Sequence, residues 1–148
     1  MFVVGSYSGS SSDKIATELL DLSTLQWSVK LPYQYDTRIC GARSLYHKGK
    51  FLIFGGSGSS GVTNRIDSFD PSRNSWSSIG ELKSKRDYTT VIEKNNEFLV
   101  IGAYAMKGDK QSEKCTYLEG NIICEYQLPT RKGVGGKLCP VRSNHNCY

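Results

Sequence analysis

One stretch, Phe51–Ser57, constrains the fold of this chain more than any other. It begins with four apolar residues, some aromatic and one β-branched, which favour a strand buried on both faces. Gly55 and Gly56 then allow backbone conformations that other residues avoid, so the strand is expected to end in a turn. Similar stretches begin at Phe2 and Phe98, and glycines at positions 5, 55 and 102 are spaced by 50 and 47 residues. A period of this size indicates a repeat architecture.

A second landmark follows the first two glycine-ended strands. Asp21 and Asp70 are each followed six residues later by a tryptophan, Trp27 or Trp76, with turn-forming residues such as Ser, Thr, Pro and Asn between them. This pattern predicts a β-hairpin in which one strand ends near the aspartate and the next begins near the tryptophan. In the third copy, Cys124 stands where the tryptophan is expected.

A third landmark precedes the later glycine-ended strands. Arg38 and Arg86, 48 residues apart, each precede an apolar run that a short polar turn joins to the glycine-ended strand. Each period therefore contains four strands: A follows the arginine, B ends at the glycines, C ends near the aspartate and D begins near the tryptophan. Four antiparallel strands in about 50 residues are typical of a β-propeller blade. A β-sandwich, the alternative, does not predict three landmarks in a fixed order.

On these landmarks the chain resembles the kelch-repeat family. The resemblance rests on Gly55 and Gly56 after an apolar strand, on Asp70 and Trp76 in the following hairpin, and on Arg86 before the next strand A. It is closest in the middle repeat and weaker in the two flanking repeats. It implies an all-β fold of four-stranded antiparallel kelch-type propeller blades, a little under three of them, in an incomplete ring.

The repeats divide the chain into four parts. We expect a partial blade with strands B to D over residues 1–32, a kelch blade over 33–82, a divergent kelch blade over 83–129, and a basic tail over 130–148 that could begin another blade. Because propellers close with four to eight blades, two readings remain open. The chain is a truncated structural fragment of a larger kelch protein without independent activity, or two copies form a homodimer that completes a six-bladed ring.

Two of the five cysteines, Cys115 and Cys124, are predicted to form a disulfide. If Glu119 and Gly120 form a two-residue turn, the two sulfur atoms lie opposite each other on neighbouring strands, where side chains approach closely. The bond would partly replace the packing lost with the tryptophan. The alternative is a pair of reduced, partly buried thiols. A disulfide favours an extracellular over a cytoplasmic compartment.

The other cysteines and the histidines do not indicate a metal site. Cys139 and Cys147 could pair with each other, and Cys40, at the start of a strand A, is expected to serve packing. Zinc is not expected, because no Cys-x-x-Cys unit is present. A galactose-oxidase-like enzyme, which shares the kelch-type propeller, would need copper ligands, and His47, expected to be solvated, and His145 do not supply them. We therefore expect no metal, no cofactor and no catalytic residue.

The net charge of +5 does not indicate a nucleic-acid partner. Four basic residues and no acidic one follow position 130, while the rest of the chain has 15 basic and 14 acidic side chains. A nucleic-acid interface needs Lys and Arg clustered on the folded surface. No apolar stretch approaches the ~20 residues of a membrane span, so neither nucleic acid nor a membrane is an expected partner.

The kelch resemblance implies a scaffold whose loops bind another protein. Antiparallel strands place the D–A and B–C loops on one face of the blades. Tyrosine and arginine are frequent interface anchors, so the candidate partner-binding residues are Tyr33, Tyr35, Arg38, Lys85 and Arg86. For the two arginines the alternative is a structural role, pairing with an aspartate or with backbone carbonyls between blades.

The remaining landmarks are expected to be structural. The glycines end strand B, the tryptophans fill gaps between blades, and the aspartates accept hydrogen bonds from the backbone amides of turns. These residues are Gly55, Gly56, Trp27, Trp76, Asp21 and Asp70.

Overall fold

The computed structural model describes residues 1–5, 15–36, 39–102 and 112–126, and every regular element within them is a β-strand. None of these residues forms a helix that could cross a membrane. The strands, in chain order, are β1 (Phe2–Val4), β2 (Thr17–Leu20), β3 (Trp27–Lys30), β4 (Arg43–His47), β5 (Lys50–Phe54), β6 (Ser57–Gly58), β7 (Gly61–Val62), β8 (Arg65–Asp70), β9 (Ser75–Glu81), β10 (Thr90–Lys94), β11 (Glu97–Ile101), β12 (Glu113–Leu118) and β13 (Asn121–Tyr126).

These strands form three propeller blades. Blade 1 is an antiparallel sheet of β1, β2 and β3, which are strands B, C and D of the repeat. Blade 2 contains β4, β5, β8 and β9, with the small β6–β7 hairpin in its B–C loop, and blade 3 contains β10 to β13. Neighbouring strands within each blade are antiparallel. The predicted all-β fold of propeller blades in an incomplete ring is therefore confirmed.

Two-residue turns set the register of the blade hairpins. Glu119 and Gly120 both have positive φ angles, 48° and 92°, as the turns most compatible with strand twist require. This turn places Cys115 opposite Cys124, with their Cα atoms 4.0 Å apart. The predicted disulfide between them is confirmed.

Side chains alternate between the two faces of each strand, and both faces of blade 2 are covered. One face packs against blade 1 and the other against blade 3. The junction between blades 1 and 2 is centred on the buried residues Ile15, Tyr33, Ile39, Ile53, Phe69 and Trp76. The junction between blades 2 and 3 is centred on Leu52, Phe54, Ile66, Ile79, Leu82, Phe98, Val100, Cys115, Ile122 and Cys124.

The disulfide of blade 3 occupies the place of an aromatic pair in blade 2. In blade 2, Phe69 lies opposite Trp76 and their ring centroids are 5.0 Å apart. Phe69 and Cys115 hold equivalent positions. Phe69 pairs with Phe51, four residues before Gly55, and Cys115 pairs with Phe98, four residues before Gly102. Both pairs face the preceding blade, so a covalent bond replaces ring stacking at one junction.

Trp27 and Trp76, which are both predicted to fill gaps between blades, differ in exposure. The Trp27 side chain is 51% exposed, whereas Trp76 is 7% exposed and contacts Phe2 and Tyr33 of the first junction. The face of blade 1 that bears Trp27 is turned away from blade 2. Among the described residues no blade adjoins that face, so the role of Trp27 between blades stays a prediction.

Blades 2 and 3 are also joined by backbone pairing, which the sequence pattern did not predict. Strands β9 and β13 run parallel, with Ile122 beside Gly80, so the two blades form one eight-stranded sheet. A Cβ atom at Gly80 would lie 2.3 Å from the carbonyl oxygen of Ile122. Glycine at position 80 therefore permits this contact.

The double glycine of blade 2 allows a second close approach between blades. The Gly56 amide donates to the carbonyl oxygen of Arg86 at 2.7 Å. Gly55 has a φ of 59°, and a Cβ atom there would lie 2.3 Å from the same carbonyl oxygen. The glycines thus end strand B and also admit the backbone of the next D–A loop.

Replacing Gly55 by alanine is expected to destabilise the fold more than replacing Gly49. Gly49 also has a positive φ, 82°, but nothing lies within 4 Å of a Cβ atom built on it. Gly49→Ala should cost about 1 kcal/mol through backbone strain, and Gly55→Ala at least ~2 kcal/mol because the Arg86 loop must also move. Urea unfolding at pH 7 measures both. Equal costs would show that the contact with Arg86 contributes nothing to stability.

Candidate functional site

The D–A loop before blade 3 is bound by a buried carboxylate at the start of β12. Glu113 is fully buried and accepts hydrogen bonds from the Lys83 and Ser84 amides at 2.7 and 3.0 Å and from the Ser84 hydroxyl at 2.8 Å. It also pairs with Arg86, whose Nε lies 3.0 Å away and whose Nη1 donates to the Gly102 carbonyl at 3.2 Å. One carboxylate therefore fixes the loop and neutralises its buried guanidinium.

The D–A loop before blade 2 is held in the same way. Asp67, buried in β8, accepts a hydrogen bond of 2.6 Å from the hydroxyl of Tyr33 and pairs with Arg65 at 2.8 Å. Burial of the phenol, followed by its hydrogen bond to the Asp67 carboxylate, raises the pKa of Tyr33 above its ordinary value. Asp67 and Glu113 hold equivalent places, opposite Ile53 and Val100, each two residues before a strand-ending glycine.

Sequence reasoning missed these carboxylates. For Asp67 the sequence held a signal, because an acidic residue stands three positions before the hairpin aspartate in two repeats: Asp67 before Asp70, and Glu18 before Asp21. Glu113 lacks this signal, since Thr116 stands three positions after it. Glu18 pairs with Val3, two residues before Gly5, so it is the equivalent residue of blade 1. The repeat therefore has an acidic position in strand C as well as its three landmarks.

Two of the predicted partner-binding residues are internal. Tyr33 is 4% exposed and Arg86 is 1% exposed, so the prediction that they contact a partner is wrong for this structure. The reason is the carboxylate that each side chain meets inside a blade junction. Tyr35 is half-buried and Lys85 is exposed. Arg38 lies outside the described residues.

The exposed part of the loop face is formed by a few polar and aromatic side chains. The guanidinium of Arg65 lies 4.2 Å from the centre of the Tyr35 ring, and burial raises the pKa of Tyr35. Asp36 accepts hydrogen bonds from the amide and hydroxyl of Ser59 at 2.9 and 2.6 Å. We call the surface comprising Tyr35, Asp36, Arg65, Lys83, Lys85 and Tyr88 the loop-face surface.

Tyr88 is the least expected member of this surface. It is 66% exposed and has a φ of 49°, a conformation that bulky residues rarely adopt. Its amide donates to the Gly41 carbonyl at 2.6 Å. Gly41 is itself left-handed, with a φ of 63°, and precedes its strand A by two residues, as Tyr88 does. A tyrosine thus occupies a backbone position that suits glycine.

His47 and Cys40 also differ from the predictions. His47 is 5% exposed and not solvated; its Nδ1 lies 3.0 Å from Glu93 and its ring packs edge-on against Phe98 and Tyr117. The side chain enters the junction between blades 2 and 3, which explains its burial. Cys40 is an exposed free thiol rather than a packing residue.

The hairpin aspartates accept hydrogen bonds from the backbone amides of their own turns. Asp21 accepts from the Ser23 amide at 2.8 Å, and Asp70 accepts from the Ser72 amide at 3.0 Å. Hydrogen bonds from the hydroxyls of Ser23 and Ser72 lower the pKa of the two carboxyl groups. Both aspartates stabilise turns at the surface.

One group of potential metal ligands occurs among the described residues. Ligand atoms of Glu113, Cys115 and Cys124 lie within 4.8 Å of one another. Both sulfur atoms are joined in the disulfide, and the carboxylate is occupied by the D–A loop and Arg86. This group therefore holds the junction together and has no free ligand set to offer a cation.

Repeated blades with carboxylate-bound D–A loops define part of a β-propeller. Residues 38–83 of this chain match the Kelch motif. Kelch-like protein 40 of Xenopus tropicalis is 33% identical over 76 residues, 49% of this chain and 12% of that protein. Kelch-like protein 40 of Xenopus laevis is 27% identical over 110 residues, 74% of this chain and 17% of that protein.

A solved structure shows the same fold. The structure of YjhT aligns with a TM-score of 0.52 at 20% identity, over 61% of this chain and 28% of the other. The chain thus covers less than a fifth of the length of these curated relatives and less than a third of the length of this structural neighbour.

Removing the buried carboxylate should cost far more than removing an exposed one in the same blade. Glu113→Gln removes the carboxylate that neutralises the buried Arg86 guanidinium, which is expected to lower the free energy of unfolding by ~3 kcal/mol or more. Glu97, about half exposed, pairs with Lys114 on the surface, and Glu97→Gln should cost less than ~1 kcal/mol. Chemical denaturation of both variants measures the difference, and similar losses would contradict the proposed role of Glu113.

The Tyr33–Asp67 hydrogen bond should make stability sensitive to alkaline pH. Tyr33→Phe is expected to cost ~1–2 kcal/mol at pH 7, where the phenol is protonated in both states. The folded-state pKa is raised above 10.0, so this contribution is complete below pH 10 and is lost as the pH rises through the folded-state pKa. The stability gap between the wild-type chain and Tyr33→Phe should therefore narrow above pH 10 in urea titrations. A gap independent of pH would contradict the assignment.

Proposed function

We propose that this chain is a protein-interaction scaffold that binds its partner through the loop-face surface. The single observation that carries the proposal is Tyr88. A left-handed conformation costs a non-glycine residue about 1–2 kcal/mol, and this tyrosine is 66% exposed. Strain at an exposed aromatic residue is a feature of binding sites, and tyrosine is a frequent interface anchor.

The charges of this surface suit a partner with carboxylate groups. Lys83 and Lys85 are exposed, and neither takes part in the ion pairs formed among the described residues. Arg86, between them and Tyr88, is already neutralised by Glu113. The backbone of Lys83 is fixed by the hydrogen bond that its amide donates to the Glu113 carboxylate, so this lysine projects from an ordered loop. An acidic segment could contact both ammonium groups and pack against the tyrosine.

Tyr35 and Arg65 extend the surface toward blade 1. Arg65 is held by Asp67 and covers one face of the Tyr35 ring, so both side chains are ordered before a partner arrives. Ordered anchors lose little conformational entropy on binding. This part of the surface would therefore add aromatic contact area at low cost.

A second candidate is that the chain is a structural part of a larger kelch propeller, without independent activity. It is favoured by the exposed apolar side chains on the outer faces of blades 1 and 3, Trp27 and Ile123 among them. We propose a binding role rather than a catalytic role for the chain, because the buried acidic and basic side chains described above are engaged in holding loops and blades together.

The test is selection of ligands from a displayed peptide library on the immobilised chain. The selected peptides should be richer in Asp and Glu than the starting library. In fluorescence anisotropy, Tyr88→Gly, which removes the side chain and keeps the backbone conformation, should weaken binding at least ~10-fold. Lys83→Glu with Lys85→Glu should also weaken binding, and binding should fall as salt is added.

Leu22→Ala is the matched control. Leu22 is 70% exposed but lies in the β2–β3 hairpin, away from the D–A and B–C loops, so this variant should bind as the wild-type chain does. Selected peptides whose affinity is unchanged by Tyr88→Gly and by the lysine substitutions would contradict the proposal. The absence of any enriched peptide would favour the second candidate.

A further inference from the structure

Two buried polar groups flank Tyr88 on the loop-face surface and have no hydrogen-bond partner among the described residues. They are the Oδ1 atom of Asp87 and the hydroxyl of Thr89, which belong to residues that are 8% and 7% exposed. Buried polar atoms in folded proteins are nearly always hydrogen-bonded, so each exception needs an explanation. Two such atoms on either side of one strained tyrosine indicate a site that a ligand completes.

Asp87 is also a buried acidic residue without a counter-charge in the described part of the chain. None of the ion pairs formed there includes it. The neighbouring guanidinium of Arg86 is engaged by Glu113 and by the carbonyl oxygen of Gly102. A carboxylate buried without a partner is costly. A ligand that carries positive charge together with N–H donors would therefore gain most from Asp87.

The two groups lie inside the blade array, at the junction between blades 2 and 3. Strands β4 and β10 are the edges of the eight-stranded sheet and contact each other. Beside them, the amide of Tyr88 donates to the carbonyl oxygen of Gly41, and a Cβ atom built on Gly41 would lie 3.3 Å from the Cβ atom of Asp87. Thr89 directly precedes β10. Both side chains therefore stand where the D–A loop meets blade 2, at the loop-face end of this junction.

The ring of Tyr88 adds a second feature that suits a cation. Its Cε2 atom would lie 3.0 Å from the same Cβ position on Gly41, so the ring and Asp87 approach one point of blade 2. Aromatic faces attract ammonium and guanidinium groups. A cation bound at Asp87 would thus have an aromatic ring beside it as well as a carboxylate.

We propose that Asp87 and Thr89 bind a cationic side chain of the partner, a lysine or an arginine, beside Tyr88. This inference rests on the proposed binding role of the loop-face surface. Ammonium and guanidinium groups have several N–H donors each, enough to bond to the carboxylate and the hydroxyl together. Since Lys83 and Lys85 face acidic groups of the partner, the bound segment carries both signs of charge at neighbouring positions.

The first test needs no ligand, because a group that waits for a partner contributes nothing to the stability of the free chain. In urea unfolding at neutral pH, Asp87→Asn and Thr89→Val should leave the midpoint unchanged or raise it. Asp67→Asn is the matched control: this aspartate is equally buried but bonded to Tyr33 and Arg65, so its midpoint should fall. A lower midpoint for Asp87→Asn would show that water or protein already satisfies the carboxylate, and would overturn the proposal.

The second test is a titration with Nα-acetyl-arginine methylamide, followed through the backbone amide signals of Tyr88 and Thr89 by NMR. The citrulline derivative, which has nearly the same shape and no charge, is the control. The arginine derivative should move these signals to saturation, and Asp87→Asn should weaken its binding at least ~10-fold. Signals that move no further with arginine than with citrulline, or that move equally in Asp87→Asn, would contradict the site.

Peptides selected on the immobilised chain separate this inference from the proposed function. They should contain a lysine or arginine besides their acidic residues, and replacing it by alanine should weaken binding as Asp87→Asn does, without a further loss when both changes are combined. Peptides that depend on Tyr88 but not on Asp87 would leave the proposed function standing and overturn this inference. Arginine binding that depends on Asp87, with no peptide enriched, would support the site and count against the proposed function.

Discussion

Arg86 is the residue on which the arrangement of blades 2 and 3 depends. Its carbonyl oxygen accepts the Gly56 amide at the end of strand B in blade 2, and its guanidinium pairs with Glu113 at the start of strand C in blade 3. The D–A loop is therefore attached to both blades through one residue. A buried charge is costly unless it is paired. The pairing of Arg86 with Glu113 therefore fixes the conformation of the D–A loop. This conformation brings the Arg86 carbonyl oxygen to the glycines of blade 2.

The two internal junctions show that one geometry can be filled by different chemistry. The first is packed by stacked rings, with Phe2 and Phe51 centred 4.2 Å apart and Trp76 edge-on to Tyr33. The second has the Cys115–Cys124 disulfide at the position of the aromatic pair. Rings fill volume, whereas the disulfide joins two strands and leaves Phe54 and Phe98 to fill the space. The carboxylate position is common to both junctions.

The sequence allowed the fold to be predicted because its landmarks are local. Strand B with its glycines, the turn at Glu119 and the pairing of Cys115 with Cys124 depend on neighbours in the chain or across one hairpin. The site was predicted less well, because burial of Tyr33 and Arg86 depends on which blade face each side chain meets. Composition and spacing favour an exposed anchor at such positions, and only the packed junction distinguishes the two roles.

Because of the parallel pairing of Gly80 with Ile122, the three blades are not held together in the same way when the chain unfolds. Backbone pairing continues from blade 2 into blade 3, while blade 1 adjoins blade 2 chiefly through side chains. Opening the second junction requires the breaking of sheet hydrogen bonds, and opening the first requires mainly the separation of apolar surfaces. We therefore expect blades 2 and 3 to unfold as one cooperative unit and the amides of β1 to β3 to exchange hydrogen first.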